Sequence, residues 1–122
     1  VYRSRRFLVD ERAVQLSTTY LPVELARGTP IMHMNPGEGG IYGRLADRGF
    51  EPTEFVESVI ARVPTKAELD ELDLVRRDSV VFEITRTAYA EGRCVEVNRM
   101  VLDGEAYQLI YKFSSEDQQQ SS

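Results

Sequence analysis

Apolar and polar positions alternate at both ends of the chain. "VYRSRRFLV" and "VQLSTTYLP" read as two strands around the polar segment "DERA", a hairpin pattern, and Pro22 ends the second because it has no N–H for a ladder. "VELARGTP" predicts a single helical turn closed by Gly28. Ile31 to Gly39, "IMHMNPGEG", holds no period and contains Pro36 and two glycines, which predicts a loop. A helix follows over Gly40 to Arg48, with Ile41, Leu45 and Arg48 on one side, Tyr42 and Ala46 beside them, and Gly49 as its stop.

"TEFVESVIARV" is rich in β-branched residues and predicts a long strand. Thr65 and Glu68 then form a capping box that opens a short helix over "TKAELDEL". "VRRDS", "AEGR" and "DGEA" punctuate three further apolar stretches, "VVFEITRTAY", "CVEVNRMVL" and "YQLIYKF", which read as an antiparallel meander. In the last of these, Tyr107, Leu109, Tyr111 and Phe113 share a side and are expected in the core. "SSEDQQQSS" is low-complexity and polar, a flexible tail over 114–122. The order β-β-α-β-α-β-β-β predicts an α+β domain, a mainly antiparallel sheet of about six strands with helices packed on one face.

Composition narrows this picture. The 122 residues suit one domain, and no apolar run approaches the roughly 20 residues that cross a bilayer. Cys94, the single cysteine, cannot form an internal disulfide, and the chain opens on no secretory segment, so a cytoplasmic setting is expected, with no membrane partner. Net charge is −5, with Lys66 and Lys112 the only lysines, so no basic surface for duplex DNA is expected outside "RSRR", whose neighbours mark it as strand.

Signatures of catalysis are missing. His33 and Cys94 stand far apart, one histidine and one cysteine do not build a zinc site, and "GEGG" lacks the Lys-Ser/Thr of a phosphate loop. No catalytic residue, metal or cofactor is assigned. The informative feature is charge on apolar strand faces: Arg3 and Arg5 share a face with Val1, Phe7 and Val9, and Glu96 and Asn98 share one with Cys94, Met100 and Leu102. Arg5 is expected half-buried. Either Arg5 and Glu96 pair with each other or with Arg86 or Arg99, or they line a cavity and grip a polar ligand. Gly39 and Gly40, at the start of a helix with its free N–H groups, mark a place where a ligand can approach the main chain, and Tyr42 adds a ring and a hydroxyl.

The blocks "LSTTYLPVEL", "GGIYGRLADRGFEP", "VPTKAELDEL", "VFEITRTAYAEGRCVEVNRMVL" and "YQLIYKF", in this order, resemble the UTRA domain of HutC-branch GntR-type transcription regulators, over about Tyr2 to Phe113. The resemblance implies a chorismate-lyase-like fold and an effector-binding and dimerising domain over 1–113. It implies a homodimer that reaches operator DNA through a winged helix-turn-helix upstream of Val1, as a start within a strand also suggests. It further implies ligand contacts at Arg5, Tyr42 and Glu96. Phe7, Ser17, Gly40 and Leu102 stand where sugar-phosphate-responsive members carry an arginine, an acid, a serine and a tyrosine. Those changes imply a less polar effector than a sugar phosphate. With Ile41 and Asn98, these seven residues are the expected ligand-binding set. A chorismate-lyase-like enzyme, with Arg5 gripping a carboxylate and Glu96 as general acid, and a dimerisation module without a ligand are the alternatives.

Overall fold

The computed structural model describes residues 1–32, 37, 39–74 and 78–115. His33, Pro36 and most of the expected polar tail lie outside them, as does most of "VRRDS". Strands β1 (Tyr2–Val9), β2 (Arg12–Tyr20), β3 (Glu54–Arg62), β4 (Val81–Ala90) and β5 (Arg93–Asp103) form one antiparallel sheet in the order β1-β2-β5-β4-β3. Helices α1 (Val23–Ala26), α2 (Gly40–Asp47) and α3 (Lys66–Glu71) and a 3-10 turn at Pro30–Met32 complete it. Asp10 and Glu11, both at positive φ, make the β1–β2 turn two residues long, so Arg12 and Ala13 of the expected turn belong to β2.

Three expectations are corrected. The sheet has five strands among the described residues, because 107–113 joins no ladder, and the three-strand meander is therefore not formed. Its Tyr111 and Phe113 are exposed rather than core. Ile31 belongs to the 3-10 turn and is fully buried, where a loop was expected.

The helices also divide between the two faces. Ladder register and alternation put Arg5, Ser17, Met100, Ile84 and Val59 on one face. There α1, the 3-10 turn and α2 bury Leu21, Leu25, Ile31, Leu45, Ala88 and Val95. The opposite face carries Leu16, Val101 and Val81, packed against Leu72 and Leu74 around the end of α3. α3 lies in the connection between β3 and β4, and Leu72 and Leu74 just after it make the contact with that face.

Side chains bind α3 to the sheet edge. Thr65 accepts from the Glu68 N–H while the Glu68 carboxylate accepts from the Thr65 N–H, and both nitrogens of the Arg62 fork donate to Glu68 at 2.8 Å. Thr65→Ala is expected to cost about 1 kcal/mol in urea unfolding, and Thr65→Ser close to nothing, since serine restores the cap.

Candidate functional site

Between the start of α2 and the face shared by β1, β2 and β5 lies an open cleft of about 550 Å³. Its lining residues are Arg3, Arg5 and Phe7 from β1, Gln15, Ser17 and Thr19 from β2, Glu96 and Asn98 from β5, and Gly37, Gly39, Gly40, Ile41 and Tyr42 at the head of α2. Period-two alternation explains why these strand residues converge. Arg3 pairs with Thr19, Arg5 with Ser17, Phe7 with Gln15 and Thr19 with Asn98, so each strand presents every second side chain to the same side.

Glu96 is the buried acid of this surface. Burial pushes its carboxyl above the ordinary glutamate range, against the hydrogen bond from Tyr42 and the charge of Arg86. The Tyr42 hydroxyl donates to Glu96 Oε1 at 2.9 Å, and burial, reinforced by the Glu96 charge, pushes Tyr42 up to about 12. Arg86 reaches out to Glu57 of β3 at 3.6 Å. Glu96 thus pairs with neither Arg5 nor Arg99, which bonds Glu83 on the opposite face.

The other wall supplies donors. Ser17 Oγ and Thr19 Oγ1 both donate to Asn98 Oδ1, at 3.0 and 3.4 Å, so the amide oxygen is engaged and the NH₂ remains the donor of this side chain. Arg5 is exposed, not half-buried, because β1 is an edge strand and the cleft is open; its guanidinium lies 5.0 Å from the centre of the Phe7 ring. Arg3 is held below its ordinary value by burial and then by the neighbouring Arg5 charge. Arg3 and Arg5 of β1 and the Asn98 amide therefore line the same cleft as the buried Glu96.

Gly39 and Gly40 have φ of 82° and 65°, so two successive residues occupy the left-handed region as α2 begins. That backbone requires glycine whether or not a ligand is present. A Cβ on Gly40 would meet nothing within 4 Å, so the position faces open space in the cleft. Of the nine residues expected in the site, Arg5, Phe7, Ser17, Gly40, Ile41, Tyr42, Glu96 and Asn98 line the cleft, and Leu102 does not. Leu102 is buried beside Gln15, where the Tyr107 hydroxyl crosses to donate to Gln15 Oε1. Gln15 and Thr19 were missed, although they stand two positions either side of Ser17 and so share its face. Among the described residues no cluster of three or more His, Cys, Asp or Glu side chains suits a metal ion.

The Glu96 shift gives a pH dependence with a definite sign. A carboxyl raised in the folded state binds its proton more readily there, so its stabilising effect is present at acid pH and is lost as pH rises from the ordinary glutamate range through the folded value. Melting of wild type and Glu96→Gln across pH 4 to 8 is expected to show the wild type losing ground to the variant as pH increases. Lowered Glu68 and Glu83 act in the opposite sense in both proteins and cancel in the difference.

Comparison with known proteins agrees with this architecture. The family model of the UTRA domain matches residues 1–108. An uncharacterized HTH-type transcriptional regulator of Streptomyces coelicolor is 32% identical over 103 residues, covering 82% of this chain and 38% of the relative. A crystal structure described as a GntR-family transcriptional regulator superposes with a TM-score of 0.75 at 29% identity, over 89% of this chain and 45% of that one. The effector domain of PhnF from Mycobacterium smegmatis shares the fold, with a TM-score of 0.75 at 21% identity over 93% of this chain and 69% of that one. The chain spans less than half the length of the first two proteins.

Proposed function

The chain belongs to the UTRA domain family, and on that premise we propose that its cleft is the effector pocket of a GntR-type transcription regulator, whose occupancy controls an attached DNA-binding domain. The observation that carries this reading is the convergence of Arg5, the Asn98 amide, the Glu96–Tyr42 pair and the head of α2 on one cleft of about 550 Å³, a volume suited to a metabolite. In this reading 1–113 is the effector-binding and dimerising domain, the polar residues after it are a tail, and the regulator acts in the cytoplasm as a homodimer. Its mechanism is linkage: an effector that binds one dimer arrangement better shifts the population toward it, and with it the spacing of the DNA-binding heads.

The lining also suggests the effector's chemistry. Arg5 suits one carboxylate, the Asn98 NH₂ a carbonyl or hydroxyl, and Phe7 and Ile41 an apolar portion. We therefore assign it to small acids that carry one anionic group and an apolar body. A thermal-shift screen of small aromatic and aliphatic acids, amino acids, sugars and sugar phosphates tests this. A rise with the acids is the expected result, and a rise with glucosamine 6-phosphate but not with the acids overturns the assignment.

A buried glutamate whose carboxyl is raised above the ordinary range by burial also suits a general acid, which favours a chorismate-lyase-like enzyme as the second reading. Conversion of chorismate by the purified domain would establish it over the first.

A further inference from the structure

Arg86 places a charge beside the cleft without lining it. On β4 it stands in register between Asn98 of β5 and Glu57 of β3, and Asn98 in turn faces Thr19 of β2. The next row on the cleft side runs from Glu96 through Ala88 to Phe55. Ala88 is fully buried and brings only a methyl group, and Tyr42 packs on its cluster with the ring 5.8 Å from Phe55 and the hydroxyl on Glu96. Arg86 is two residues along β4 from that alanine, on the same face.

The guanidinium is shared between two sides. Outward it pairs with Glu57 at 3.6 Å. Inward it acts on the Tyr42 hydroxyl as a donor and a charge, and on Glu96 as a charge. A hydroxyl that gives its single proton to Glu96 can only accept from Arg86, so the direction of the chain from Arg86 through Tyr42 to Glu96 is fixed. Other titratable groups also border Glu96. Arg3 and Arg5 of β1 line its cleft, β2 adds only the uncharged Gln15, Ser17 and Thr19 there, and the Val1 ammonium, Tyr20 and Cys94 share a second small cavity with it. The Val1 ammonium is bonded to the Leu21 carbonyl, and Arg86 is the cation whose charge bears on the carboxyl.

We propose that Arg86 is a positioning residue for the effector cleft: from outside it, the guanidinium turns the Tyr42 hydroxyl onto Glu96 and holds the Glu96 carboxylate in its charged form. This rests on the reading of the cleft as an effector pocket and names a residue that tunes it. The consequence is proton linkage. An anionic effector that enters beside Glu96 favours the protonated acid, so its binding takes up a proton from solvent, and Arg86 sets the pH range in which that happens.

The carbon-13 carboxyl signal of Glu96, followed from pH 4 to 8 in wild type, Arg86→Gln and Arg86→Lys, tests the proposal, with benzoate as the anionic probe. Without benzoate, Glu96 in Arg86→Gln is expected to hold its proton roughly 10-fold more tightly than in wild type, and Arg86→Lys, which keeps the charge, to restore most of the difference. Millimolar benzoate is expected to move the wild-type midpoint to higher pH. The same midpoint in all three proteins overturns the proposal even where Arg86→Gln melts earlier, because a merely structural arginine changes stability and leaves this titration unmoved. Benzoate that binds in the cleft without moving the midpoint overturns the linkage. A midpoint that follows Arg86 while benzoate leaves every cleft signal unmoved upholds the positioning role and counts against the effector reading instead. Should Arg86→Gln fail to fold, the wild-type Arg86 Nε–H signal decides: a shift that tracks the Glu96 midpoint supports the proposal, and a flat signal overturns it.

Discussion

Leu45→Ala is expected to cost about 3 kcal/mol and to lower the melting temperature by roughly 10 °C, a large effect for a single truncation on the cleft side of the sheet. Leu45 is fully buried and packs with Ile31, Ala88 and Val95 beneath α2. It also accepts the Phe50 N–H at its carbonyl, at 2.8 Å, so it anchors both the underside of the helix and the chain that leaves it. Alanine would leave a cavity in a cluster whose Ala88, Ala90 and Val95 are fixed by the strands and cannot follow it inward. The same change is expected to weaken any effector, because Leu45 holds down the helix whose first three residues line the cleft. Leu45→Met keeps the volume and is expected to cost less than about 1.5 kcal/mol. Thermal melts of the two variants, with and without the strongest screening compound, check both parts. Equal melting of Leu45→Ala and wild type would mean that α2 does not pack as described.

All five strands and all three helices were legible in the residue pattern, because each rests on local rules: alternation, the Thr65–Glu68 capping box, and glycine at helix ends. What escaped was long-range. The segment 107–113 has the alternation of a strand, but alternation does not say which edge it pairs with. The position of α3 on the far face depends on how the β3–β4 connection folds back, which no window of residues contains. Arg5 looked half-buried from its apolar neighbours, yet its exposure follows from the place of β1 at the sheet edge.

The candidate site divides in the same way. Period two places Arg5, Phe7, Ser17, Glu96 and Asn98 on their strand faces, and the ladders bring those faces together. Leu102 fails because depth along the strand matters as well as face: beside it the cleft gives way to the Tyr107–Gln15 bond. The glycines at the head of α2 attracted attention as a place for a ligand, but their positive φ already requires them. Tyr42 and Glu96, 54 residues apart, meet in a hydrogen bond that only the packing of α2 across β5 could reveal.

Glu96 carries the most direct test of the account. It is buried, lines the cleft and accepts the Tyr42 hydroxyl at one oxygen, so its carboxyl carries a desolvation cost beside ligand space. Glu96→Ala removes that cost together with the hydrogen bond, so the variant is expected to fold. Its effect falls on binding: loss of a hydrogen bond to an ionisable group weakens an effector by roughly 10- to 100-fold. At a concentration near 10 times the wild-type Kd, that change removes most of a stabilisation of about 1.4 kcal/mol. The measurement is thermal shift of wild type and Glu96→Ala in parallel against the strongest screening compound. A rise in wild type that largely disappears in the variant is the predicted result, and it would make the cleft the effector pocket. Equal rises in the two proteins would contradict the account, placing the ligand elsewhere on the domain.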